Sequence, residues 1–144
     1  MDSEVLDVGS GSGVISKRME TERGCRVTCL EPSYEESNSE NSETKDAFLA
    51  SKEQMGADKV VKLTLQDAAK QERFQNKFDA VTVFKYNVPL DQTEDFCAAL
   101  KLPIKPDGTV YITSVEKYRC ELTKGYEKNY LLDELKKHFK SVTY

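Results

Sequence analysis

The sequence predicts one α/β domain built on a doubly wound, mainly parallel sheet. Three observations carry this. Strand-like apolar runs alternate with helix-like segments along the whole chain. The first run, Val5-Leu6-Asp7-Val8, breaks into Gly9-Ser10-Gly11-Ser12-Gly13, the kind of turn that carries a buried parallel strand into a helix. With 144 residues and 38% hydrophobic content, the chain can build one core but not two.

Taken in order, residues 4–8 read as a strand, and Val14 to about Glu22 as the helix leaving the glycine turn. Gly24 suits that helix's C-terminal cap, and Arg26–Leu30 forms the next strand. Residues 34–46 are rich in Ser, Glu and Asn with only Tyr34 as a large apolar group, which predicts a mobile surface insertion or an N-terminal extension of the next helix. A short helix is expected over Asp46–Met55, a third strand over Val60–Leu65 and a fourth over Asp79–Phe84. Thr93–Leu102 is helical, with Phe96, Ala99 and Leu100 on one face. Ile104-Lys105-Pro106-Asp107-Gly108 reads as a turn, Asp-Gly being its signal, that introduces a fifth strand at Thr109–Val115. Leu131, Leu135 and Phe139 recur every four residues and mark a last amphipathic helix with a basic outer side. Ser141–Tyr144 begins another extended piece. Alternation of this kind implies right-handed crossovers, helices on both faces, and ligand binding at the carboxyl ends of the strands where the strand order reverses.

Composition narrows the function classes. No apolar run approaches the roughly 20 residues that span a bilayer, and no basic-then-apolar leader opens the chain. Cys25, Cys29, Cys97 and Cys120 form no Cys-x-x-Cys pair and have no His at ligand spacing, so neither a metal nor a disulfide framework is expected. Reduced thiols in a cytoplasmic protein are the expectation. Residues 1–72 hold nine Lys/Arg against fifteen Asp/Glu, and residues 73–144 hold twelve against ten. That excess is too small to signal a nucleic-acid surface. His138, the single histidine, falls on the polar side of the last helix beside Lys136 and Lys137 and reads as a surface residue.

The glycine spacing selects among cofactors. A dinucleotide fingerprint needs Gly-x-Gly-x-x-Gly, and counting from Gly9 or Gly11 the third glycine would fall on Val14 or Ser16. A phosphate loop needs a following Gly-Lys-Ser/Thr, which is absent. The stretch Val5–Gly13 instead resembles motif I of the class I S-adenosylmethionine (SAM) dependent methyltransferases. Glu31 in Leu30-Glu31-Pro32-Ser33, Asp67 in Leu65-Gln66-Asp67-Ala68, Phe78-Asp79-Ala80-Val81, and the turn before the fifth strand follow in that family's order.

The resemblance implies a Rossmann-like methyltransferase core and a set of roles. Gly9, Ser10, Gly11 and Gly13 would form the cofactor loop, and Asp7 would lie near the methionine moiety or tie the loop down. Glu31, followed by Pro32, would accept the ribose hydroxyls. Asp67 would accept the adenine amine, with the Ala68 N–H reaching a ring nitrogen, unless Asp67 simply caps a helix. Phe84 would border the cofactor at the exit of the fourth strand. Lys85, Tyr86 and Asn87 follow it and are the candidate catalytic residues facing the methyl group.

Methyl transfer from a sulfonium is an in-line displacement that depends on alignment and desolvation. It needs a general base only if the acceptor is protonated. Asn87-Val88-Pro89-Leu90 keeps one proline of the adenine- and glutamine-methylating motif but lacks its aromatic, and no acid lies between Val81 and Leu90 to complete a ribose-methylating tetrad. The expected activity is therefore transfer of a methyl group from SAM, leaving S-adenosylhomocysteine, to a nucleophilic N or O of a small molecule. The alternatives are a non-catalytic methyltransferase-like module supporting a partner, an RNA or protein methyltransferase core, and a nucleotide-dependent oxidoreductase. The chain starts almost at its first strand and ends where a sixth would form. It is thus expected to lack the family's N-terminal helices and last strand, with a protein partner or further segments completing the site.

Overall fold

The computed structural model describes residues 2–32, 49, 51–84, 90–113 and 130–143. Among them five strands form one all-parallel sheet in the order β3-β2-β1-β4-β5. The strands are β1 (Glu4–Val8), β2 (Arg26–Leu30), β3 (Val60–Val61), β4 (Phe78–Val83) and β5 (Ile104–Ile112). The helices are α1 (Val14–Arg23), α2 (residues 51–55), α3 (Leu65–Ala69), α4 (Thr93–Lys101) and α5 (Tyr130–His138). From β1 the chain builds outward through β2 to β3, then returns to the other side of β1 for β4 and β5. The strand order therefore reverses between β1 and β4, which is where an open α/β sheet leaves a crevice.

Both faces of the sheet are covered, and β1 shows how. Side chains alternate along a strand. Leu6 and Val8 enter one apolar cluster with Phe78, Val81 and Val83, closed by Leu65 and Ala68 of α3, Phe96 and Leu100 of α4, and Leu131 of α5. Val5 enters a second cluster with Val27, Cys29, Val60, Met55 of α2 and the partly buried Met19 of α1. Phe78, Phe96, Leu6, Leu30 and Leu100 are wholly buried, each worth about 1.5–3 kcal/mol by removal from water. These two layers fix the carboxyl ends of β1, β2 and β4 in one row.

Three elements differ from expectation. The alternation Val61-Lys62-Leu63-Thr64-Leu65 reads as strand, but β3 stops at Val61. The Leu63 N–H turns back to the Val61 carbonyl, and the Thr64 hydroxyl accepts the Asp67 N–H at 3.1 Å, so Leu65 enters the core as the first residue of α3. A local N-cap outcompetes the ladder here.

The second difference is that β5 starts at Ile104, so the Lys-Pro-Asp-Gly stretch is a bulge inside the strand and not a turn before it. Between the pairs Phe78↔Ile104 and Ala80↔Thr109, β4 advances two residues while β5 advances five. Pro106, with no N–H to donate, sits in this unpaired loop, and the Lys105 ammonium closes it on Asp79 Oδ1 at 2.9 Å.

Third, residues 141–143 join no strand. β5 also ends at Ile112, short of the expected Val115, and the expected helix start at Asp46 lies outside the described residues; elsewhere the expected elements agree to within a residue or two, Gly24 capping α1 with φ 66° among them. His138 contacts Glu134 Oε1 at 3.3 Å in the last turn of α5. The predicted insertion at 34–46 and Cys120 lie outside the described residues, and Cys25 and Cys29 are free thiols.

Candidate cofactor site

The site grows from the register of three strands. Val8 pairs with Leu30 of β2 and with Val83 of β4. The next residues, Gly9, Glu31 and Phe84, therefore stand side by side just beyond the carboxyl ends. Gly9 and Ser10 both donate their N–H to the Leu30 carbonyl, at 2.8 and 3.3 Å. Gly11 donates to Glu31 Oε2 at 3.0 Å. Three consecutive loop amides thus rest on the last residue of β2 and its neighbour.

Two glycines are required for different reasons. Gly11 has φ 58°, and a Cβ built there would meet none of the described residues within 4 Å, so among them the apex of the loop is open. Gly13 has φ 79° at the N-terminus of α1, and a Cβ there would press on Ser51 Oγ at 3.1 Å and Met55 Cγ at 3.3 Å. Helix α2 therefore holds the inner side of the loop while Glu31 holds its rim. Ser10 Oγ and Ser51 Oγ are buried without a hydrogen-bond partner among the described residues.

Asp7 lies beneath this loop and is 2% exposed. Its Oδ2 accepts from the Ser16 hydroxyl of α1 at 2.5 Å and its Oδ1 from the Thr82 hydroxyl of β4 at 2.8 Å. Its partners are thus two side-chain hydroxyls, so the carboxylate ties α1 and β4 to the end of β1. Burial pushes the Asp7 carboxyl above its ordinary range, against the two hydroxyl bonds. Burial also pushes Glu31 up, the Gly11 N–H opposes it, and the nearby Asp7 charge adds to the rise.

The remaining expected residues divide. Pro32 and Phe84 are half-buried at the same row of strand ends. Asp67 sits in the first turn of α3, exposed, with Lys70 Nζ at 3.5 Å. Ala68 is buried and its N–H donates to the Thr64 carbonyl at 3.0 Å, so that donor is already used within α3. Lys85, Tyr86 and Asn87 lie outside the described residues. Among the described residues, no three His, Cys, Asp or Glu side chains gather as metal ligands would, and no helix is long and apolar enough to cross a membrane. The sequence reading missed Ser16 and Thr82. Ser16 carried a weak signal, as a lone hydroxyl in the first turn after the glycines, whereas Thr82 becomes a partner only through the pairing Asp7↔Thr82.

A family model described as a methyltransferase domain matches residues 6–112, from β1 to the end of β5. The chain belongs to the class I SAM-dependent methyltransferase family. Solved structures repeat this methyltransferase fold. The PH0226 protein of Pyrococcus horikoshii superposes with a TM-score of 0.60 at 18% identity, covering 89% of this chain and 57% of that one. A SAM-dependent methyltransferase of Leishmania major gives 0.58 at 17%, covering 79% and 43%. A 16S rRNA (adenine(1408)-N(1))-methyltransferase of Catenulisporales acidiphilia, solved as a W203A mutant with the cosubstrate SAM, gives 0.55 at 16%, covering 76% and 55%. The methyltransferase core described here thus spans about half the length of these structures. No curated protein matches the sequence.

Proposed function

We propose that this chain binds SAM over the Gly9–Gly13 loop and serves as the cofactor-binding core of a methyltransferase. The observation that carries the reading is the open face at Gly11, where none of the described residues lies within 4 Å of a built Cβ, rimmed by the Glu31 carboxylate. A backbone free of side chains admits a ligand closely. An acid at the end of β2 suits a ribose diol, and the Asp7–Glu31 pair suits a ligand that is cationic at its sulfonium and ammonium. SAM, when bound, supplies the electrophilic methyl group. The residues of this chain bind and orient it: the loop through its backbone, Glu31 through the ribose, and Pro32 and Phe84 as half-buried walls. Asp67 borders the adenine end from the exposed side of α3, whereas Asp7 acts from below as the clamp of the loop.

The acceptor is a small molecule carrying a nucleophilic N or O, approached from the exit of β4 through Lys85, Tyr86 and Asn87. A protein partner or further segments complete that side. The test is calorimetric titration with SAM and S-adenosylhomocysteine, with NAD as control and Glu31→Ala alongside. Micromolar binding of both adenosyl ligands, weakened at least tenfold in the variant, is expected. Tighter binding of NAD than of SAM overturns the cofactor reading. Binding without methyl transfer to any small amine or hydroxyl acceptor overturns the small-molecule reading.

A further inference from the structure

Among the described residues, the glycine loop is held on its outer side by one side chain. Gly9 and Ser10 lean on a single backbone carbonyl, that of Leu30, and the longer of those two bonds measures 3.3 Å. Gly11, at the apex, has no packing partner among the described residues in the direction a side chain would take. Its hydrogen bond is to Glu31 Oε2, from twenty residues further along the chain. Glu31 itself is anchored, because its N–H donates to the Val61 carbonyl at 3.1 Å and so fixes the end of β2 against β3. The carboxylate spans from this anchored strand end to the unpacked loop apex.

We propose that Glu31 is a positioning residue for the glycine loop, holding the Gly11 amide so that the loop has its ligand-binding shape before any nucleoside arrives. This rests on the cofactor reading above and goes beyond it, since a ribose acceptor acts only when ligand is present. The charge-assisted Gly11 bond is made in the ligand-free chain, so part of the ordering cost of the loop is met on folding and not on binding. The proposal further implies that Oε2 is shared between loop and ligand, leaving Oε1 as the freer acceptor for the diol.

Comparing S-adenosylhomocysteine with its 2′,3′-dideoxy analogue, in wild type, Glu31→Ala and Glu31→Gln, separates the two roles. A residue that serves only the ribose has nothing to offer the dideoxy ligand, so Glu31→Ala would bind that ligand as wild type does. A positioning residue predicts that Glu31→Ala weakens the dideoxy ligand as well, by about tenfold. Glu31→Gln, whose amide oxygen can still accept the Gly11 N–H, should recover most of that loss.

The second readout needs no ligand. Hydrogen exchange at the Gly11 amide should be faster by about tenfold in Glu31→Ala than in wild type, with Glu31→Gln between them. Equal exchange in all three proteins, or equal dideoxy affinity in wild type and Glu31→Ala, overturns the proposal. If wild type binds neither adenosyl ligand, the cofactor reading fails by itself, and the exchange rates still decide whether Glu31 holds the loop.

Discussion

Asp7 at the end of β1 and Thr82 on β4 face each other across the point where the strand order reverses, joined by a 2.8 Å hydrogen bond from the Thr82 hydroxyl to Asp7 Oδ1. The other carboxylate oxygen takes the Ser16 hydroxyl of α1. One buried acid therefore ties together two strands and the helix that leaves the glycine loop. Asp7→Ala strands two buried hydroxyls and opens a small void, and should cost about 3 kcal/mol. Asp7→Asn keeps one acceptor and both hydroxyls can rotate to suit it, so its cost should stay near 1 kcal/mol or below. Urea unfolding of the two variants checks the ordering. Equal losses would mean that the carboxylate itself is required, because the amide keeps the volume of the side chain.

The same acid gives a signed pH effect. Burial raises the native Asp7 carboxyl above its ordinary 3.8. Below that value both folded and unfolded chains hold the proton. Above it the unfolded chain releases its proton first, so the stabilisation present at low pH is lost as pH rises through the folded value. Asp79, Glu22 and Glu134 are lowered by their basic neighbours and act in the opposite sense, but they are shared by wild type and Asp7→Asn and cancel in the comparison. Wild type should therefore lose stability relative to Asp7→Asn as pH rises above 3.8 and level off once Asp7 is ionised in both states. Removing the Asp7 charge also relieves Glu31, which strengthens the trend. Parallel stability-against-pH curves for the two proteins would contradict it.

What the sequence disclosed and what it hid follow from distance along the chain. The glycine loop, Gly24 after α1 and the apolar face of α4 were legible because each is settled by neighbours within a turn or two. Glu31 was legible by its place after an apolar run, though its bond to Gly11 was not. Thr82 could not be foreseen as the partner of Asp7, since only the β1–β4 register brings residues 75 apart together. The end of β3 was misread because Leu63 and Leu65 satisfy the period of a strand while Thr64 satisfies the rule for a helix cap. The Lys-Pro-Asp-Gly stretch was misread because Asp-Gly signals a turn equally well inside a strand, and the bulge depends on Asp79 in the neighbouring strand.

Thr64 tests the first of those misreadings. Its hydroxyl accepts the Asp67 N–H at 3.1 Å and its carbonyl accepts the Ala68 N–H at 3.0 Å, so one residue starts the five-residue helix that carries Asp67. A helix this short has little stability of its own. Thr64→Ala should cost about 1 kcal/mol and Thr64→Ser almost nothing. If Asp67 borders the adenine, S-adenosylhomocysteine should bind less tightly to Thr64→Ala by a few-fold. Equal stability of the two variants would show that α3 is held by Leu65, Ala68 and Ala69 packing alone.

Gly108 tests the second. In the bulge of β5 a Cβ at this position would run into the Ile104 side chain and approach the Asp79 carbonyl at 3.0 Å. Ile104 can shift only at the expense of the main core, where it is 6% exposed, and the Asp79 carbonyl belongs to a paired strand. Gly108→Ala should therefore cost about 2 kcal/mol by overpacking, lowering the melting temperature by about 6 °C for a domain of this size. Relieving the crowding from the other side distinguishes this from a general intolerance of the bulge. Ile104→Ala removes both Cγ1 and Cδ1 from the contact, so adding Gly108→Ala to it should cost less than adding it to wild type, by about 1 kcal/mol in a double-mutant cycle. If the two losses simply add, the crowding lies at the Asp79 carbonyl. If they couple, its missing side chain makes room for Ile104 at the sheet edge nearest the Lys105–Asp79 pair.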